Sequence, residues 1–182
     1  MRKTLIFTFL LILITTLLTA ADPSPATFSV STKISAINDM KITNEPVDEE
    51  SFSDPNTTFS GSVSIVGSGS GQNMDGDGNV DFSAFVSTLS NNRAGYTIKM
   101  SATPLTSEGT PPATINYIVT VEDVPFDTKE DTIAVDVFTV QSLGELNVES
   151  LPISVRLYRD EFDSAVAGTY IGSVTFEYVA DN

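Results

Sequence analysis

The chain has 182 residues, with 9 basic against 24 acidic side chains and a formal net charge of −15. That balance opposes nucleic acid, whose binding is driven by neutralising phosphates, and it opposes an anionic membrane surface for the same reason. Histidine, cysteine and tryptophan are all absent, which removes the usual nucleophile–base pairs of enzymes, the common zinc ligand sets and disulfide staples.

The N-terminus reads as an export signal. Arg2 and Lys3 are followed by an apolar run over 5–18 and by Thr19-Ala20-Ala21, small residues that suit cleavage before Asp22. The run is too short for a bilayer-spanning helix, which needs about 20 apolar residues. Removing residues 1–21 takes two basic residues and no acidic one, so the remainder is more acidic still. The expected organisation is a signal over 1–21, an N-terminal extension or first strand over 22–37, and one domain over 38–182.

Past the signal, strand-like runs alternate with turn-rich pieces. The first run covers 27–37. Phe28, Val30 and Ile34 share one parity with Thr32, while Ser29, Ser31, Lys33 and Ser35 share the other. A strand sends alternate side chains to opposite faces, so this segment has one apolar face. It serves either as a first strand in its own domain or as a strand that leaves to complete another copy. A polar, acidic loop follows over 44–58, with a glycosylation sequon at Asn56-Thr57-Thr58. Further strands are expected at 59–66, 80–89, 95–102, 115–121, 132–140, 151–158 and 169–179, all rich in the β-branched and aromatic residues that suit a pleated surface. Phe59-Ser-Gly-Ser-Val63-Ser-Ile65 alternates clearly. Asp54-Pro-Asn, Gly67-Ser-Gly-Ser-Gly, Ser90-Asn-Asn, Gly109-Thr-Pro-Pro and Asp160-Glu-Phe-Asp are turn and loop compositions. No window carries a helical period. The expected fold is all-β: an immunoglobulin-like antiparallel sandwich.

One cluster has metal-ligand spacing. In Asn73-Met-Asp75-Gly-Asp77-Gly78-Asn79-Val80-Asp81, residues Asn73, Asp75, Asp77, Asn79 and Asp81 fall at positions one, three, five, seven and nine of a calcium loop, with Gly78 at the sixth. The twelfth position calls for a bidentate Glu and holds Ala84. The same residues also make a tight hairpin turn, for which Asp-Gly and Asn are favoured. No cofactor is expected unless this loop takes calcium. Catalysis is not expected either: no Gly-rich loop leads into a helix with a lysine, and paired carboxylates lack aromatic platforms for sugars.

The last strand is the most informative. Tyr170, Gly172, Val174, Phe176 and Tyr178 share one parity, and no later segment is expected to pair with it. An apolar strand with an open edge is a template for another chain. The two ends together resemble the chaperone–usher class of bacterial pilin subunits, including their spore-coat-U-like relatives. That family has a glycine set back from the end, alternating apolar residues and a near-terminal tyrosine. Here these are Gly168, Val174 with Phe176, and Tyr178. The resemblance implies an exported sandwich short of one strand, with Gly168, Tyr170, Val174, Phe176 and Tyr178 as the acceptor edge. Phe28, Val30 and Ile34 would be the donor residues. It further implies like subunits and a periplasmic chaperone as partners, no membrane span after signal removal, and a role in a surface fibre and adhesion. The chain departs from many members in lacking a cysteine bridge, and residues 38–165 match only in being strand-rich. The last strand also resembles that of cell-wall-binding WxL domains, whose tryptophans are missing here. The alternative is a self-complete secreted sandwich that binds a cell-surface or carbohydrate ligand, with calcium if the acidic loop is a site.

Overall fold

The computed structural model describes residues 31–59, 61–63, 65 and 73–181. The chain divides into two units, 1–34 and 35–182. Of the first, residues 31–34 are exposed and carry no regular structure. The export signal, Phe28 and Val30 lie outside the described residues. Of the strand expected over 27–37, the described residues 31–37 form none; the first strand among the described residues is Asn38–Thr43, a segment no expected run covers.

The second unit is a sandwich-like arrangement of antiparallel sheets, as the composition predicts. Its strands are β1 (Asn38–Thr43), β2 (Phe85–Ser90), β3 (Tyr96–Ala102), β4 (Leu105–Ser107), β5 (Thr114–Ile115), β6 (Tyr117–Val121), β7 (Val124–Asp127), β8 (Val135–Val140), β9 (Asn147–Leu157), β10 (Tyr170–Ile171) and β11 (Val174–Ala180). A five-stranded sheet runs β1-β2-β9-β6-β7, a three-stranded sheet runs β11-β3-β8, and a small sheet runs β10-β4-β5. Among the described residues one short α-helix, α1 (Arg159–Ser164), stands where Asp160-Glu-Phe-Asp reads as a turn. Asp160 and Glu161 occupy its first turn, where the exposed N–H groups favour acids. Among the described residues no helix is long and apolar enough to cross a membrane.

Alternation decides what is buried. Tyr96, Ile98 and Met100 of β3 point inward with no exposed surface, while Thr97, Lys99 and Ser101 between them are only partly covered. Val119 and Val121 of β6, Val86 of β2, Val137 of β8 and Leu157 of β9 join the same cluster, so both large sheets feed one core. Each such side chain contributes about 1.5–3 kcal/mol by leaving water. The Tyr96 hydroxyl shares a hydrogen bond with Thr88 Oγ1 at 2.7 Å, which satisfies both polar groups inside the core. Burial raises the Tyr96 pKa above its usual value.

The 44–58 stretch is an ordered cover. Thr43 and Ser87 are fully buried. Thr43 Oγ1 and Ser87 Oγ share a bond of 2.8 Å, and Ser87 shares another with Ser150 Oγ at 2.9 Å. The loop is pinned to that row: the Val47 N–H donates to Ser150 Oγ at 3.1 Å. Phe52 is buried, with Lys41 Nζ 4.9 Å from its ring centre. Asn56 of the sequon stays exposed in a 3₁₀ turn, Pro55–Thr57.

Candidate functional site

β11 carries a ladder on one side only among the described residues, to β3. In an antiparallel pair, residues alternate between those bonded across the ladder and those whose N–H and C=O point away. The Thr103 N–H bonds the Ser173 carbonyl at 2.9 Å, and the Asp181 N–H bonds the Gly95 carbonyl at 3.0 Å. With the register Phe176 opposite Met100, the odd-numbered residues therefore face β3. The backbone groups of Val174, Phe176 and Tyr178 face the side of β11 that carries no ladder among the described residues. Their side chains turn inward, half-buried, while Thr175 and Glu177 are exposed.

Beneath that edge lies an apolar cleft of about 620 Å³. Val174 and Phe176 form one wall, and Ile42 of β1 with Ile153 and Val155 of β9 form the opposite one. At one end of the cleft β1 and β11 are joined. Tyr178 makes the join. Its ring stacks on Tyr96 at 4.7 Å, and its hydroxyl donates to Asn38 Oδ1 at 3.0 Å and shares a bond with Ser90 Oγ at 2.9 Å. Burial raises the Tyr178 pKa, keeping this hydroxyl a neutral donor. At the other end the chain crosses from β10 in the small sheet to β11 through Gly172. A Cβ on Gly172 would lie 2.8 Å from the Thr103 carbonyl oxygen and 3.1 Å from that of Pro104, so only glycine fits. Tyr117, at the cleft floor, donates to the Ser173 carbonyl at 3.2 Å, and burial pushes its pKa up to about 12.

The residues singled out by sequence divide accordingly. Tyr170, Val174 and Phe176 line the cleft. Tyr178 closes its end. Gly168 is exposed ahead of β10, outside both β10 and β11, and a Cβ there would meet nothing closer than 3.9 Å. Ile34 is 81% exposed. The far wall of Ile42, Ile153 and Val155 escaped sequence reasoning. Its alternation is visible over 151–158, but which strand faces it across the gap depends on pairings between distant segments. Residues 59–65 alternate as a strand should, yet none of the described ones belongs to a ladder; instead Phe59, Val63 and Ile65 line the cleft.

The acidic loop folds as a hairpin. Met74 bridges Val80, and the Asp75 N–H bonds the Asn79 carbonyl at 2.9 Å. Asp75 Oδ1 accepts from the N–H groups of Asp77 and Asn79, both at 2.9 Å, and Oδ2 accepts from Asn79 Nδ2 at 2.8 Å. The Asn79 side-chain bond, followed by these backbone bonds, holds the Asp75 pKa below 3.8. Gly78 sits at φ +90° with its carbonyl accepting from the Leu157 N–H at 2.9 Å. Thus both Asp75 oxygens already serve the turn, and Asp77 and Asp81 are exposed beside it. Among the described residues no group of three acidic, histidine or cysteine side chains is placed to hold a metal ion.

No protein-family model, curated protein or solved structure matches this chain.

Proposed function

We propose that this protein is an exported structural subunit of a bacterial surface fibre, assembled by strand exchange and acting in adhesion. The observation that carries the reading is the coincidence of a β11 edge that has no ladder among the described residues with an apolar cleft beside it. Unpaired backbone groups and uncovered apolar surface are both costly, and one inserted strand relieves both. The donor is residues 27–37 of a second copy. Its Phe28, Val30 and Ile34 would each contribute about 1.5–3 kcal/mol on burial, offset in part by the entropy of ordering the strand. The exposure of Ile34 in the isolated chain fits a residue whose burial waits for a partner. Donor and acceptor are different surfaces, so the contact is head-to-tail and propagates into an open fibre. A periplasmic chaperone would shield the edge in transit.

The test is Phe28→Asp. It places a charge at an apolar donor position, so polymer should vanish from surface extracts while export continues. Polymer at the wild-type level would contradict the donor assignment.

A further inference from the structure

The turn after β2 divides its work between two asparagines. Asn92 serves the turn itself. Its Nδ2 donates to the Gly95 carbonyl at 2.6 Å and to the Asp181 carbonyl at 3.1 Å, and its N–H donates to Ser90 Oγ at 3.1 Å. Asn91 serves the chain that leads into β1. Its N–H donates to the Ile37 carbonyl at 3.1 Å, its Oδ1 accepts from the Ile37 N–H at 2.7 Å, and its Nδ2 donates to the Ser35 carbonyl at 3.1 Å. The first of these bonds continues the β1–β2 ladder past its end pair, Asn38 opposite Ser90. The other two come from the side chain, whose amide offers the same acceptor and donor groups as a peptide unit. Ser35 and Ile37 are exposed, so these bonds, more than core packing, set their course.

This clamp sits where self-association is decided. Asn38, the next residue in β1, accepts from the Tyr178 hydroxyl at one end of the cleft. The exit point of the leading segment thus lies beside the acceptor of the same chain. A tethered strand has an effective concentration on the order of millimolar at a site it can reach, and none at a site its tether cannot span. A chain free to bend back at 35–37 would therefore fill its own cleft before it met another copy. The clamp holds 35–37 on the β2 side and in line with β1. We infer that Asn91 is a positioning residue: it fixes the exit of the leading segment and so directs strand exchange to a second copy instead of to the chain's own cleft. The inference rests on the reading of β11 as an acceptor edge and adds its regulation.

Two variants test the clamp. Asn91→Ala removes both side-chain bonds, while Asn91→Asp keeps the acceptor for the Ile37 N–H and loses the donor to Ser35. Size-exclusion chromatography separates polymer from monomer. Asn91→Ala should trade polymer for folded monomer, with Asn91→Asp between it and the wild type. Amide hydrogen exchange then reports what fills the cleft of that monomer. Val174 and Phe176 should be protected in it, and adding Phe28→Asp should remove that protection. The amides of β3 show whether each variant is folded; should Asn91→Ala unfold, Asn91→Asp carries the same comparison. Polymer at the wild-type level in the folded variants would overturn the clamp. So would a folded variant monomer whose Val174 and Phe176 exchange freely. Either result leaves the acceptor edge standing so long as the wild type polymerises. Wild-type subunits that form no polymer would remove the acceptor edge itself, and the clamp with it.

Discussion

At the scale of single residues, the hairpin before β2 shows how side-chain chemistry fixes the backbone. A Cβ on Gly78 would lie 2.4 Å from the Leu157 carbonyl oxygen, and its φ of +90° is strained for any L side chain. Gly78→Ala should therefore cost about 2 kcal/mol or more, seen as a lower midpoint in urea unfolding. Asp75 gives a pH signature. Its native pKa lies below the ordinary 3.8 because the carboxylate accepts from Asn79 and from backbone N–H groups. A depressed pKa means that the unfolded chain binds the proton more readily, so stability is present above the ordinary value. It is lost as the pH falls through the lowered native value. Asp75→Asn should flatten that part of the acid limb in thermal melts taken between neutral and strongly acid pH. An unchanged acid limb would show that the carboxylate does not support the turn.

At the scale of elements, legibility in the sequence followed the range of the forces involved. β3 was readable at its expected place because Tyr96, Ile98 and Met100 alternate with polar residues and are buried on one face only. β4 and β7 were missed because Leu105-Thr-Ser and Val124-Pro-Phe-Asp are too short to show a period and exist through pairing with β5, β10 and β6. The expected last strand is two strands, β10 and β11, because Gly172 lets the chain change sheets. The converse case is 59–65, where a strand period is present and no ladder forms among the described residues. The edge of the candidate site was thus readable from Val174, Phe176 and Tyr178. Its far wall was not, since Ile42 and Ile153 reach it through the β1-β2-β9 pairing. The 73–81 segment has the spacing of a calcium loop and the bonding of a hairpin. Three N–H donors already occupy the Asp75 carboxylate, and Ala84 stands where the bidentate acid belongs. Calorimetric titration should give no heat at millimolar calcium, and a saturable signal would contradict the hairpin reading.

At the scale of the whole molecule, the protein is stabilised by one apolar core and its backbone ladders, without disulfides. Its charge sets the conditions for self-association. The full chain carries a net charge of −15, and the copy without its signal is more acidic still, so copies repel one another at long range, and a fibre needs a short-range contact strong enough to overcome that repulsion. An apolar strand seated in an apolar cleft, with backbone bonds along its length, has that character. Raising the salt concentration screens the repulsion while leaving the seated strand nearly untouched.

Amide hydrogen exchange on Phe28→Asp protein, with and without the peptide of residues 22–37 at equilibrium, addresses that contact residue by residue. The account predicts that Thr175, Glu177 and Val179 are protected in both states by their bonds to β3. Val174, Phe176 and Tyr178 should become protected only when the peptide is bound. Unchanged exchange at those three amides under saturating peptide would contradict strand addition at β11.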